Sequence, residues 1–313
     1  MRFLALCILF IYSIDAKEIK PFHKFKAFGF VNDFFVSNKY IYIATDAGVL
    51  DIFSLKSKKH IDRVILEPLV TAQGDVIDAH IISVDVRADK VLFVSTTVSG
   101  YRNVWIYEAH KLKLIADESK KLTAKEARFV DDEKIVYSTL GADVVLHDIG
   151  ENYNLYKTQI SGSSLGDYQL SQDKKTMAIA DESGAVTIIN VIDSKIIKQP
   201  KPQNLDNLFH IAYANGTVLT AGQDRRVGVY PKNAQAYYIK QSFLVYCVGL
   251  NPSAKVGVYT KGEENILQVF NPQTKKNLYE GIGHKGIVNQ IKFTSENEFY
   301  SSDRSRFVYF WKF

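Results

Sequence analysis

The stretch Val218-Leu-Thr-Ala-Gly-Gln-Asp-Arg-Arg-Val-Gly-Val-Tyr230 contains two short strand-type runs joined by a polar turn. Residues 218–221 alternate as a half-buried strand does, residues 222–225 supply turn chemistry, and Val227, Val229 and Tyr230 open the next strand. The same unit recurs along the chain. Marking the residue in the place of Tyr230 gives Phe53, Tyr107, His147, Ile189, Tyr230, Phe270 and Trp311, at separations of 54, 40, 42, 41, 40 and 41. Seven evenly spaced strand units, almost without helical periodicity, predict an all-β, seven-bladed β-propeller.

The 218–230 stretch resembles the Ser-Gly-Ser-x-Asp-x-Thr-Ile-x-Leu-Trp core of WD40 repeats, with Asp224 in the turn-aspartate place and Tyr230 where the terminal Trp stands, and the other units repeat it in degraded form. The last repeat matches best: Gly283-His284 opens it, Trp311 closes it, and Ser301, Ser302 and Asp303 lie between. The resemblance implies that His284, Ser302, Asp303 and Trp311 form a buried hydrogen-bonded set. A buried imidazole and indole need partners, so a structural role for His284 is expected ahead of one as metal ligand or base. Turns such as residues 44–55 also look like quinoprotein-type propellers, including an outer-membrane assembly lipoprotein.

The last repeat stops at Phe313, two residues past Trp311, with nothing left for its outer strand. Residues 18–30 alternate Phe with basic residues before the first complete repeat, so residues 22–28 are expected to complete the last blade and close the ring. Between these ends, strands are expected at residues 33–36, 40–45 and 49–53 in the first blade and at matching places in the rest. Asn215-Gly216 is the predicted hairpin turn of blade five. The single helical candidate is residues 120–128.

Met1-Arg2 and the apolar run at residues 3–14 fit a secretory signal peptide cleaved after Ala16, leaving residues 17–313 as one exported, periplasmic domain. The only cysteines are Cys7 and Cys247, so the processed chain has no disulfide, and Cys247 reads as a buried thiol in a strand. Net charge is +5, with 39 basic and 34 acidic residues dispersed through the turns. That dispersion and the export signal disfavour a nucleic-acid partner.

No cysteine pair, HExxH, GxSxG or phosphate-loop pattern occurs, and the scattered histidines have no metal-ligand spacing. Asp78 and His80 share a loop, but two residues make no triad. The expectation is a monomeric, non-catalytic interaction scaffold without catalytic, cofactor or metal residues. By size, signal peptide and repeat type it resembles the NapL-type accessory proteins of periplasmic nitrate reductases. That resemblance implies a periplasmic protein partner of the oxidoreductase class; an envelope-assembly platform is the alternative, and an enzyme with its site on the propeller face the third reading.

The 54-residue interval from Phe53 to Tyr107 exceeds the period by about 13, which must be looped out. Residues 67–80 and 96–103 are the two expanded connections, expected on one face as a raised lip. Leu69, Val70, Val76, Ile77, Tyr101 and Arg102 are its candidate partner-binding residues, being the apolar, aromatic and Arg types that interfaces enrich.

Overall fold

The computed structural model describes residues 16–313, so the expected signal peptide, apart from Ala16, lies outside the described residues. Seven sheets, each built on four antiparallel strands, follow one another around a central axis as a β-propeller. Blade 1 runs from its inner strand Val31–Val36 through Tyr40–Thr45 and Val49–Ser54 to the outer His60–Ile65. The inner strands of blades 2 to 7 are Ile81–Arg87, Ala124–Phe129, Leu165–Leu170, Leu208–Ala214, Val248–Leu250 and Val288–Phe293. Among the described residues no helix is long and apolar enough to cross a membrane.

Alternation along the strands divides the core into seven apolar layers, one at each junction between blades. Val104 and Ile106 of blade 2 pack on Phe129 and Ile135 of blade 3; Phe25, Val308 and Phe310 of blade 7 pack on Phe34 and Ile41 of blade 1. A radial array of this kind has no single centre to its core, so each blade depends on both neighbours.

Closure uses the N-terminal segment. His23–Lys26 pairs antiparallel with Phe307–Lys312, with Phe25 opposite Val308, and supplies the outer strand of blade 7. Phe25 is 1% exposed, whereas Phe22 and Phe28 are 71% and 53% exposed, so one of the three phenylalanines anchors the strand. Just before it, Lys17–Ile19 adds a fifth strand to blade 6, parallel to Asn277–Gly281, a pairing the repeat pattern does not announce.

Residues 120–128 are not helical. A single 3₁₀ turn, Glu118–Lys120, precedes the inner strand Ala124–Phe129. Ala, Lys, Glu and Arg favour helix locally, but Ala127 and Phe129 alternate into the core while Glu126 and Arg128 line the central channel, and tertiary packing overrides the propensity. Asn215 and Gly216 both have positive φ, 44° and 73°, the geometry of a tight hairpin turn. The excess before blade 2 folds as a small hairpin, Leu69–Val70 paired with Val76–Ile77.

Candidate functional site

Three places concentrate chemistry-bearing side chains: the channel wall, the buried sets that tie strands within blades, and the face carrying the expanded loops. Six of the seven inner strands, all but that of blade 6, begin with a register shift, after which alternate residues point into the channel. The first such residue is Asp33 in blade 1, Ser83 in blade 2, Glu126 in blade 3, Asp167 in blade 4, His210 in blade 5 and Gln290 in blade 7.

Three of these polar groups join neighbouring blades. Asp33 accepts the backbone N–H of Val84 at 3.0 Å, Ser83 that of Ala127 at 3.2 Å, and Asp167 that of Ile211 at 2.9 Å. One step further along the strand, Asp85 accepts from Phe129 and Gln169 from Tyr213, both at 2.7 Å. Asn32 and Asn289 donate to the carbonyls of Ile81 and Val31, both at 2.9 Å. These bonds satisfy inner-strand groups that face no strand of their own sheet.

The remaining charges form one buried network. Arg128 donates to Glu126 at 2.6 Å and Asp33 at 3.2 Å, and Lys292 donates to Asp33 at 2.6 Å. Burial would raise the Asp33 carboxyl, but Lys292 and Arg128 outweigh it and hold the group below the usual carboxylate range. Glu126 is pushed up to about 7 by burial, against the pull of Arg128 and with Asp167 and Asp33 adding to the rise. His210 places Nε2 3.2 Å from Gln290 Oε1, and Cys247, free and fully buried, is the next residue of the ring.

Blade 7 holds the set built around Trp311. Its indole N–H donates to Ser301 Oγ at 2.7 Å; Ser301 lies 2.7 Å from His284 Nε2, and His284 Nδ1 lies 2.9 Å from Asp303 Oδ2. One proton assignment satisfies the whole chain: Ser301 donates to Nε2 and the Nδ1 proton goes to the Asp303 carboxylate. By distance alone Ser301, His284 and Asp303 form a hydrolase triad. All three are buried, and the Ser301 oxygen already accepts the indole proton, so the arrangement binds strands rather than a substrate. Ser302, named from the sequence, is not part of it: Ser302 donates to Asn289 Oδ1 at 2.7 Å, and Ser301 is the residue whose side chain reaches Trp311.

Blade 5 repeats the scheme with different residues. Asn204 stands in for the imidazole, accepting from Thr220 Oγ1 at 2.7 Å and donating to Asp224 Oδ1 at 2.9 Å. Tyr230, buried, accepts the Gln203 N–H at 2.9 Å, and Asp224 also accepts from Leu205 N at 2.8 Å. Sequence reading overlooked Asn204, because no Gly-His pair marks it.

Residues 66–80 and 97–101 emerge on the same face, joined at the base by the Thr96 N–H to His80 O bond of 2.9 Å. Val70, Val76 and Ile77 stand 65%, 69% and 44% exposed on the hairpin, while Leu69 is half-buried against the core between blades 1 and 2. Arg102 turns the other way. The Arg102 backbone N–H bonds to Leu122 O beside blade 3, its guanidinium folds back on the carbonyls of Gly100 and Tyr101, and its Nε is buried without a partner.

Two further apolar residues share the hairpin's face. Ile65 ends the outer strand of blade 1, and Phe28 lies under the Arg63 guanidinium, 4.8 Å from ring centroid to Cζ, with its own N–H on Asp51 Oδ2 at 2.7 Å. Arg63 and Ile65 alternate onto one side of their strand, so Ile65 stands beside the Arg63–Phe28 pair, and Phe28, Ile65 and the hairpin all present exposed apolar side chains on one face of the ring. Compared with known proteins, this chain matches no family model and no curated protein.

Proposed function

We propose that this protein is an exported, non-catalytic scaffold of WD40 type that holds a periplasmic protein partner on the crescent formed by Phe28, Ile65, Val70, Val76 and Ile77. The carrying observation is the exposure of these five apolar side chains on one rim of a closed ring. Scattered exposed apolar residues are ordinary, whereas several on one face beside a loop expansion are the pattern of a contact surface. The rigid ring lowers the ordering cost of binding, because strand pairing and junction packing hold the loop bases in place. A periplasmic oxidoreductase of the nitrate reductase kind is the partner class that the chain's resemblance favours.

The test is affinity capture from a periplasmic extract with the native protein and with a variant carrying Phe28→Ser, Val70→Ser, Val76→Ser and Ile77→Ser. The proposal expects an oxidoreductase on the native protein and its loss from a variant of unchanged circular dichroism. Retention of every partner by the folded variant sinks the crescent as the site. Capture of outer-membrane proteins in place of an oxidoreductase overturns the partner class.

A further inference from the structure

Three segments that meet at the junction of blades 7 and 1 carry lysine and no acid. They are residues 20–24, which lead into the outer strand of blade 7, and the turns at residues 37–40 and 54–60 of blade 1. Together they hold six lysines, no arginine and no Asp or Glu, more positive charge than the net +5 of the whole chain.

Phe22 sits where the segments meet. Its N–H donates to Phe310 O at 2.7 Å, and its ring meets the Phe310 ring edge-on with centroids 5.7 Å apart. The Lys58 ammonium lies over the same ring, 5.2 Å from its centroid, and 5.5 Å from that of Phe25. Leu55 N donates to Lys39 O at 2.9 Å, which ties the two turns of blade 1 together. Lys39, Lys56 and Lys59 are exposed on these turns, and Phe22 is 71% exposed beside them. Elsewhere Lys134, Lys195 and Lys312 each pair with a carboxylate of their own turn or sheet, whereas none of the six lysines makes an ion pair among the described residues. Glu298, whose charge reaches Lys58, is itself held by Lys312 at 3.1 Å. Unpaired like charges gathered in this way give the rim a positive potential that acts over a Debye length of about 10 Å.

The residue types select the kind of surface that answers this potential. Protein interfaces enrich arginine and deplete lysine, and this rim has the reverse composition. Lysines around a protruding aromatic ring suit a lipid surface, where ammonium groups meet headgroup phosphates and the ring enters the boundary with the acyl chains. We propose that the Phe22 rim is a peripheral contact for an anionic phospholipid surface, with Phe22 entering the interface and Lys39, Lys56 and Lys59 against the phosphates. His23–Lys26 leads from Phe22 toward Phe28, and His60–Ile65 leads from the lysine turn to Ile65. The rim and the crescent therefore lie at opposite ends of both strands, and a ring seated on lipid presents the crescent away from it.

The experiment is co-sedimentation of the protein from residue 17, which keeps the whole ring and omits the apolar run at residues 3–14, with two kinds of vesicle at low and at physiological salt. One kind is phosphatidylcholine alone, the other an equimolar mixture with phosphatidylglycerol. Binding to the mixed vesicles only, weakened by salt, is expected. Lys56→Gln with Lys59→Gln should weaken it about tenfold or more, at about fivefold for each ammonium lost from the surface. Phe22→Ser should weaken it about fivefold at either salt concentration. Lys198→Gln with Lys201→Gln removes the same charge from blade 4 and the connection after it, and should leave binding unchanged. All five side chains are exposed, so circular dichroism should match the native protein throughout. Equal binding to both kinds of vesicle, no binding to either at low salt, retention of binding by the Lys56–Lys59 or the Phe22 variant, or an equal loss in the blade 4 variant would each overturn the proposal. Absent vesicle binding, together with capture by polyglutamate that the Lys56–Lys59 variant loses, would assign the rim to an acidic protein instead.

Discussion

Lys292 of the last blade donates to Asp33 of the first at 2.6 Å, and the same carboxylate accepts from Val84 of blade 2 and Arg128 of blade 3. One buried side chain therefore spans the seam where the two ends of the ring meet. Replacing Asp33 with Asn keeps the shape and removes the charge that Lys292 and Arg128 share. Breaking a buried pair in this way costs about 3 to 5 kcal/mol. Urea unfolding should show a loss of that size for Asp33→Asn and a smaller one for Lys292→Met, which leaves Asp33 its Arg128 partner. A loss below about 1 kcal/mol for Asp33→Asn would mean the seam is held by apolar packing alone.

The distinction between Ser301 and Ser302 is open to the same measurement. Ser301→Ala orphans two buried groups, the Trp311 N–H and His284 Nε2, whereas Ser302→Ala removes one bond to Asn289. At about 1 to 3 kcal/mol for each unsatisfied buried group, Ser301→Ala should be roughly twice as damaging as Ser302→Ala. Trp311→Ala should cost about 3 to 5 kcal/mol, the range for emptying a large aromatic site. Equal effects at the two serines would remove the special role given to Ser301.

The blade count was legible because one position per blade holds a bulky closing residue, from Phe53 to Trp311, and that position recurs at nearly constant spacing. Ring closure was legible because a missing strand at one end faced a spare strand at the other. The channel network was not, although Asp33, Asp85 and Asp167 sit at similar steps within their repeats. A lone polar residue in an apolar run reads locally as a strand edge, and only the radial arrangement brings six such residues to one axis. Ser301 and Ser302 could not be separated either, since strand alternation assigns them to opposite faces only once the register is known. Tyr101 and Arg102 belong to an expanded loop, but loop length carries no information on which way a side chain turns.

Closure by His23–Lys26 predicts unequal effects among three similar residues. Phe25 is buried between blades 7 and 1, whereas Phe22 and Phe28 face solvent. Phe25→Asp places a charge in an apolar layer and should lower the melting temperature by well over ten degrees or prevent folding. Phe22→Asp should shift it by only a few degrees. Deleting residues 17–30 should be as severe as Phe25→Asp, because it exposes the paired edge of Phe307–Lys312 and removes the added strand of blade 6. Unchanged stability after that deletion would refute closure through the N-terminal segment.

Glu126 gives the ring a pH dependence whose sign can be worked out. Its folded carboxyl titrates at about 7, raised by burial and by Asp167 and Asp33, while an unfolded Glu titrates near 4.3. Between these values the folded state holds a proton that the unfolded state has released, so stability falls as pH rises. The contribution is fully present below about 4.3 and lost as pH passes through 7, and it amounts to at most about 4 kcal/mol. Glu126→Gln keeps a group that can hydrogen-bond to Arg128 and removes the titration. Urea unfolding of both proteins at pH 5, 6, 7 and 8 should give an advantage for Glu126→Gln that grows from pH 5 to about 7 and levels off toward pH 8. Taking the difference between the two proteins cancels the groups they share, including the acid sensitivity of His284, whose pKa burial lowers. A difference that does not change with pH would remove the titration from Glu126. A difference of opposite slope would mean that Arg128 wins over burial and holds Glu126 ionised in the folded ring.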